Sequence, residues 1–512
     1  MCMLATALGA TALGIEARPI DVEVELTQGL PYFSIIGLVG TAVQEARYRI
    51  QSALRASELA LPHKRVTINL APAGLRKDGA ALDLPMALGL LVAAGLLESS
   101  ALDGTLALGE LALSGQLRPV RGVLPATALA ARRGCRRIIV PRCNGPEALA
   151  LGSIPVVAPD SLSQLVSHLR GRSEVPAAPQ AEAQREISDL DLSEVRGQGD
   201  ARRALEICAA GGHNLLFLGH PGSGKTMLAR RLPTILPPLE RNDRILVTQI
   251  RSVAGLTLEF DGLAQRRPFR APHSSISQAG LVGGGNPVRP GEVSLAHEGI
   301  LFLDEMPELP RRVLESLRQP LEDGFVTIVR ARQAIRLPAN FQLLGSANPC
   351  PCGWLGHSSG RCMCRPEEIR RYAGRISGAL LDRMDMVVDV PTLGAEELLV
   401  AQGGECSRTV RERVLGARAF WASLEPSPPR PQTSTSPLRG NPSLERIRTS
   451  LGPKCRNLVK DASEKLGLSA RGVDRILKVG RTIANLEQSE TIRQVHLMEA
   501  LRFRRPASWG TR

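Results

Sequence analysis

Aromatic side chains are scarce: three Trp, three Tyr and nine Phe make up 3% of the 512 residues. The cores of this chain are therefore aliphatic, drawn from the 43% of residues that are hydrophobic. No uninterrupted apolar stretch reaches the roughly 18 residues that a membrane-spanning helix needs. The start, MCMLATALGATALG, is apolar but has no basic segment ahead of it, and Glu16, Arg18 and Asp21 follow at once. It reads as a strand rather than a secretory signal. Ten cysteines spread over this length do not make a secreted disulfide scaffold and fit reduced thiols. No short-period repeat is present. The integral-membrane and disulfide-stapled classes are excluded, and a soluble cytoplasmic protein is expected.

A chain this long exceeds one ordinary core, so two to four domains are expected. Residues 1–170 alternate short aliphatic and β-branched runs (IDVEVEL, RVTINLAP, RRIIVP) with Ala/Leu-rich helical stretches such as LPMALGLLVAAGLL, an α+β or α/β pattern. A polar, Pro/Ala/Gln-rich linker occupies 171–188. Strand–loop–helix alternation runs over 189–392, and 393–512 is basic and helical in pattern, interrupted by a Pro/Ser/Thr-rich loop at 425–442. Net charge is +14, and residues 445–512 hold 15 Lys and Arg against 7 Asp and Glu. More than half of the excess thus sits in the last eighth, which favours a polyanionic partner such as nucleic acid over a merely solvated helical face.

The sharpest motif is GHPGSGKT, residues 219–226, which satisfies G-x-x-x-x-G-K-[ST] in full. Gly219, Gly222 and Gly224, with His220, Pro221 and Ser223 between them, let the backbone turn so that successive N–H groups face one anion at a helix N-terminus. Lys225 would reach the outer phosphates of ATP, and the Thr226 hydroxyl would ligate Mg²⁺. GILFLDE (299–305) is a buried strand ending in two carboxylates: Asp304 to hold Mg²⁺ through water, Glu305 to polarise the attacking water. FQLLGSAN (341–348) ends in Asn348, a polar tip suited to sensing the γ-phosphate. Together they predict an ATP-hydrolysing P-loop domain of α/β class.

APHSSISQAGLVGGG, PGEVSLAHEGILFLDEMPEL, SANPCPCG and SGALLDRMD together resemble the magnesium-chelatase-like AAA+ ATPases, within them the ComM/YifB family, and the resemblance covers essentially the whole chain. It implies a helix-2-insert AAA+ module with an insert near 260–297, a pre-sensor hairpin near 324–337 and an α-helical C-terminal lid. It also implies a homo-oligomeric ring, a hexamer, in which Arg383 of LLDRMD acts in trans on the neighbour's γ-phosphate. Arg471 of LSARGVDRILK matches the sensor-2 arginine of the lid. RKDGAALDLPMAL and LSGQLRPVRGVLPATALAARRGCRRIIVP resemble the Lon peptidase fold, with Ala81 where its serine belongs and Leu124 at its lysine. Neither can attack a carbonyl or move a proton, which implies an N-terminal domain without the catalytic dyad.

Cys350, Cys352, Cys362 and Cys364 form two C-x-C pairs nine residues apart, able to surround one Zn²⁺, with His357 a substitute ligand; a loop of reduced thiols is the alternative. Arg330, Arg332 and Arg336 are spaced to share one face of a strand in FVTIVRARQAIRLP, a stripe suited to a phosphate backbone. The family resemblance implies a DNA motor of the branch-migration helicase type, acting on single-stranded or branched DNA during integration of transforming DNA. A chelatase motor subunit driving metal insertion into a tetrapyrrole shares the ATPase core but has no use for the Lon-like domain or the charge. An ATP-gated assembly chaperone is the third reading.

Overall fold

The computed structural model describes residues 3–59, 63–180, 190–257, 262–330, 333–357, 359–394, 403–424 and 444–504. Among them, no helix is long and apolar enough to cross a membrane.

The N-terminal unit is built on a seven-stranded mixed sheet. In spatial order its strands are Tyr32–Ile36, Arg65–Ala71, Glu16–Thr27, Met3–Leu13, Thr105–Ala107, Arg137–Ile139 and Val156–Val157. The apolar start of the chain is the strand Met3–Leu13. It turns through Gly14 and pairs antiparallel with Glu16–Thr27 along its whole length, from Leu13 opposite Glu16 to Met3 opposite Leu26. IDVEVEL alternates as its period-2 pattern demands, with Ile20, Val22, Val24 and Leu26 buried on one face. The helix Asp83–Ala93 is buried nearly all round, which is why its sequence carries no polar stripe.

The second unit has a five-stranded, wholly parallel sheet in the order Phe269–Arg270, Ile300–Leu303, Gln342–Ala347, Leu215–Leu218 and Met386–Asp389. Its inner strands are buried at every position, without alternation, because both faces are covered. Leu215 and Phe217 pack with the helices Gly199–Gly211 and Lys225–Ile235 and with the C-terminal helices. Leu216 and Leu218 face a separate core shared with Val326 of the hairpin Phe325–Arg330/Gln333–Pro338. The insert between Arg241–Ala254 and Ile300–Leu303 contains the helix Gln278–Val282 and a two-residue ladder of Gly283–Gly284 with Arg289–Pro290.

Helices Ser407–Leu424, Leu444–Ser450, Pro453–Leu466, Ala470–Leu486 and Gln494–Arg502 complete the chain and pack on the Leu215/Phe217 side. The loop expected at 425–442 and the second part of the expected linker, 181–188, lie outside the described residues. The two units are joined by a buried polar knot. Glu147 of the first accepts hydrogen bonds from the Leu124 amide at 3.0 Å, the Thr257 hydroxyl at 3.3 Å and the Ser252 hydroxyl. Burial pushes its carboxyl above the ordinary range, against the pull of these donors.

Candidate nucleotide site

Parallel strands deliver their carboxyl ends to one edge of the sheet, and ligands of open α/β sheets bind there. Three neighbouring strands end in the residues singled out above: Leu215–Leu218 runs into Gly219, Ile300–Leu303 into Asp304, and Gln342–Ala347 into Asn348. The turn needs its glycines, for Gly222 and Gly224 have φ of +77° and +91°, where a Cβ is strained. Gly224 precedes the helix Lys225–Ile235 and no side chain caps it, so the first N–H groups of the helix face the loop.

The site is knit by hydrogen bonds. Lys225 Nζ donates to the carbonyls of Gly219 (2.7 Å) and His220 (2.9 Å) and to Asn348 Oδ1 (3.1 Å). Burial lowers the pKa of its ammonium, while the Asp304 and Glu305 carboxylates raise it. Thr226 Oγ1 donates to Asp304 Oδ2 at 2.8 Å, so the hydroxyl and the carboxylate expected to flank Mg²⁺ already touch. Asp304 Oδ1 accepts from the Ser346 hydroxyl and, at 3.1 Å, from the Glu305 amide. That amide also lies 3.0 Å from Ser346 Oγ. Glu305 has φ of +47°, an uncommon conformation for a side-chain-bearing residue, and its side chain is exposed. Ser346 thus braces both carboxylate residues, a role no motif announced.

The two arginines expected to act on phosphate converge on one carboxylate. Arg383 is buried, paired with Glu322, and donates to the Ala379 carbonyl at 2.6 Å. Arg471, mostly exposed, lies 3.6 Å from the same Glu322. Glu322 lies in the last turn of the helix Arg318–Asp323, and nothing in its local sequence marked it out.

The four cysteines come together: their Sγ atoms all lie within 4.8 Å of one another, with Cys350 3.3 Å from Cys352 and each of these 3.7 Å from Cys362. A disulfide needs about 2.05 Å, so these are free thiols. A tetrahedron of sulfurs about 2.3 Å from Zn²⁺ has edges of about 3.8 Å, close to the spacings seen. Burial and the neighbouring thiols push Cys350 up to about 12. At Cys352 burial is outweighed by the Trp354 amide and adjacent thiols, which bring it down to about 7. His357 is not within the cluster; its ring lies against Trp354 and His220.

The hairpin corrects one expectation. Arg330 pairs with Gln333 and Thr327 with Arg336. The numbers of each opposed pair sum to an odd value, so even positions on the first strand share a face with odd positions on the second. Arg336 therefore lies on the opposite face from the Arg330 position, and its guanidinium sits 3.3 Å from the Phe325 ring centroid. Arg332 lies outside the described residues. In the N-terminal unit, Ala81 lines a cavity of about 1340 Å³ between the two units, walled also by Gly122, Arg121, Arg289 and Ile335. Leu124 is buried in the first turn of Val123–Arg132.

Comparisons with known proteins cover the same ground. Family models match in three blocks: subunit ChlI of Mg-chelatase over residues 22–144, magnesium chelatase subunit ChlI over 191–398, and the ChlI C-terminal region over 404–504. Competence protein ComM of Haemophilus influenzae is 42% identical over 507 residues, 98% of this chain and 97% of that protein. YifB of Escherichia coli is 40% identical over 495 residues, 96% of this chain and 95% of its own. The magnesium-chelatase 67 kDa subunit of Heliobacterium mobile is 25% identical over 206 residues, 34% of this chain and 30% of that protein.

Proposed function

The chain belongs to the magnesium-chelatase-like AAA+ ATPases of the ComM/YifB family, and from that premise we propose that it is a ring-forming ATP-hydrolysing motor that moves DNA strands during recombination. The observation that carries the ATPase is the convergence of Lys225, Thr226, Asp304, Glu305 and Asn348 at the ends of three adjacent parallel strands. In this reading the loop amides of 219–226 and Lys225 hold the phosphates of ATP. The Thr226 hydroxyl and Asp304 would hold Mg²⁺, which neutralises the charge developing on the phosphates. Glu305 orients the attacking water, its backbone fixed by Asp304 and Ser346. Asn348, tied to Lys225, reads the outer phosphate, Arg383 serves a neighbouring subunit's site, and Arg471 answers from the helical lid.

DNA as the polymer is supported by the +14 charge and by near-full-length similarity to a protein named for competence. The magnesium-chelatase subunit matches only a third of the chain, which weakens the tetrapyrrole alternative. The Lon-like N-terminal unit, with Ala81 and Leu124 at the dyad positions, works in assembly or DNA engagement rather than proteolysis. The four cysteines hold one Zn²⁺. The deciding experiment measures ATP turnover with branched DNA, with single-stranded DNA and with protoporphyrin. Stimulation by DNA and none by protoporphyrin is expected; the reverse pattern ends the DNA reading.

A further inference from the structure

The loop that carries the four cysteines packs directly against the phosphate-binding loop. The chain leaves the sheet at Asn348, passes Cys350 and Cys352, and then lays Gly353, Trp354, Leu355 and His357 against the apex of 219–226 before returning to Cys362 and Cys364. The His220 ring stacks on Trp354 with centroids 6.2 Å apart and planes 24° from parallel. His357 closes the triangle edge-on, 5.0 Å from His220 and 4.9 Å from Trp354. His220 Nε2 donates to the Leu355 carbonyl at 3.2 Å, and the Arg361 guanidinium covers the Trp354 ring at 5.6 Å. Pro221 approaches Gly353 so closely that a Cβ there would lie 2.7 Å from its ring carbons. This one loop therefore touches residues 220 and 221 of the phosphate loop, and Asn348 at its root accepts from Lys225.

We propose that the cysteine-held loop is a metal-pinned strut that positions the ATP-binding loop, with Trp354, His357 and His220 as the positioning residues that transmit the state of the metal site to the nucleotide. It rests on the zinc reading above. Four thiolates on one ion fix both ends of the 350–364 excursion, and a fixed excursion holds the aromatic triangle in place. Without the ion, the four sulfurs repel as thiolates or drift as thiols, and the stack loses its rigid backing. The loop 219–226 must then be ordered by ATP itself, and that ordering is subtracted from binding.

The test uses the full-length protein and a fluorescent ATP analogue with Mg²⁺. Zinc is measured by elemental analysis, removed with phenanthroline and added back, while Trp emission is followed. One zinc per chain is expected, and its removal should weaken the analogue's Kd roughly three- to tenfold, the scale of one aromatic contact. Emission assignable to Trp354 should shift in step, and zinc should restore both. Trp354→Leu should keep its zinc, bind the analogue more weakly from the start and lose nothing further on zinc removal; Trp354→Phe, which keeps a ring over His220, should behave like the parent. Unchanged Kd on zinc removal and in Trp354→Leu, with zinc bound normally, overturns the strut and leaves the metal site standing. A protein without zinc overturns the metal reading and the metal-pinned strut with it, whereas a weakened Kd in Trp354→Leu would then show only that the ring itself supports the phosphate loop.

Discussion

Gly353→Ala is the most direct perturbation of the contact between the cysteine loop and the phosphate loop. Two costs can be separated. Gly353 has φ of +84°, where a Cβ costs about 1–2 kcal/mol. The added Cβ would also meet Pro221 Cδ and Cγ at 2.7 Å, against the 3.4–4 Å of ordinary contact, so one of the two loops must move. Overpacking of this kind costs about 1–3 kcal/mol. Gly356 supplies the control: it lies in the same loop with φ of +81°, but a Cβ there meets nothing within 4 Å. Gly356→Ala carries the backbone cost alone, and the difference between the variants isolates the Pro221 contact. If that difference is relieved by displacing 219–226, ATP affinity in Gly353→Ala should fall below that of Gly356→Ala by about 5- to 150-fold. Titration with a fluorescent ATP analogue measures this, and thermal melts check that both variants remain folded. Equal affinities would show that Pro221 gives way without disturbing the phosphate loop, and the coupling would be refuted.

Glu305→Gln keeps volume and leaves Asp304 in place, so it should bind ATP normally and hydrolyse it on the order of 100-fold more slowly; near-normal turnover removes Glu305 from the chemistry. Arg383→Ala and Lys225→Ala proteins should each be inactive alone, and mixing them should recover some turnover if Arg383 acts across an interface; no recovery at any ratio argues that the pairing with Glu322 is its whole role. His297 is held neutral, pushed down to about 3 by burial and by Arg267, whereas an unfolded histidine protonates near 6.5. The unfolded state therefore binds the extra proton first, and this contribution to stability is lost as pH falls from about 6.5 towards 3. Burial raises Glu298 to about 7, which acts oppositely, adding stability as pH falls from about 7 to about 4.5. Melting curves should show His297→Gln gaining acid tolerance relative to the parent and Glu298→Gln losing it; parallel pH profiles for all three proteins would contradict both shifts.

How much of this was legible in the sequence follows from the range over which each feature is encoded. The strand–turn–helix around 215–235 and the strand ending at Asp304 are written in contiguous residues. Their apolar runs require burial on two faces, and their glycines require positive φ, so local chemistry alone places Lys225, Thr226 and Asp304 at sheet ends. What brings those ends together is strand order, with Gln342–Ala347 lying between Leu215–Leu218 and Ile300–Leu303, and no local pattern encodes that. The bracing of Asp304 by Ser346 and the convergence of Arg383 and Arg471 on Glu322 join residues 42, 61 and 149 positions apart, and each partner looks ordinary in its own segment. The cysteine spacing nominated the four clustered thiols but was silent about the intervening residues, whose Trp and His meet the phosphate loop. The hairpin shows the complementary failure. A period of two along one strand put Arg330 and Arg336 on one face, but the count runs through a turn. With Arg330 opposite Gln333, the two strands add to an odd number, and every residue beyond the turn changes sides relative to a continuous strand. The energetics agree with the ladder: Arg336, placed over Phe325, gains a cation–π contact on the face away from Ile328 and Ile335. The basic hairpin is therefore not one stripe along a strand. Arg336 belongs to its stalk, on the face away from the Arg330 position.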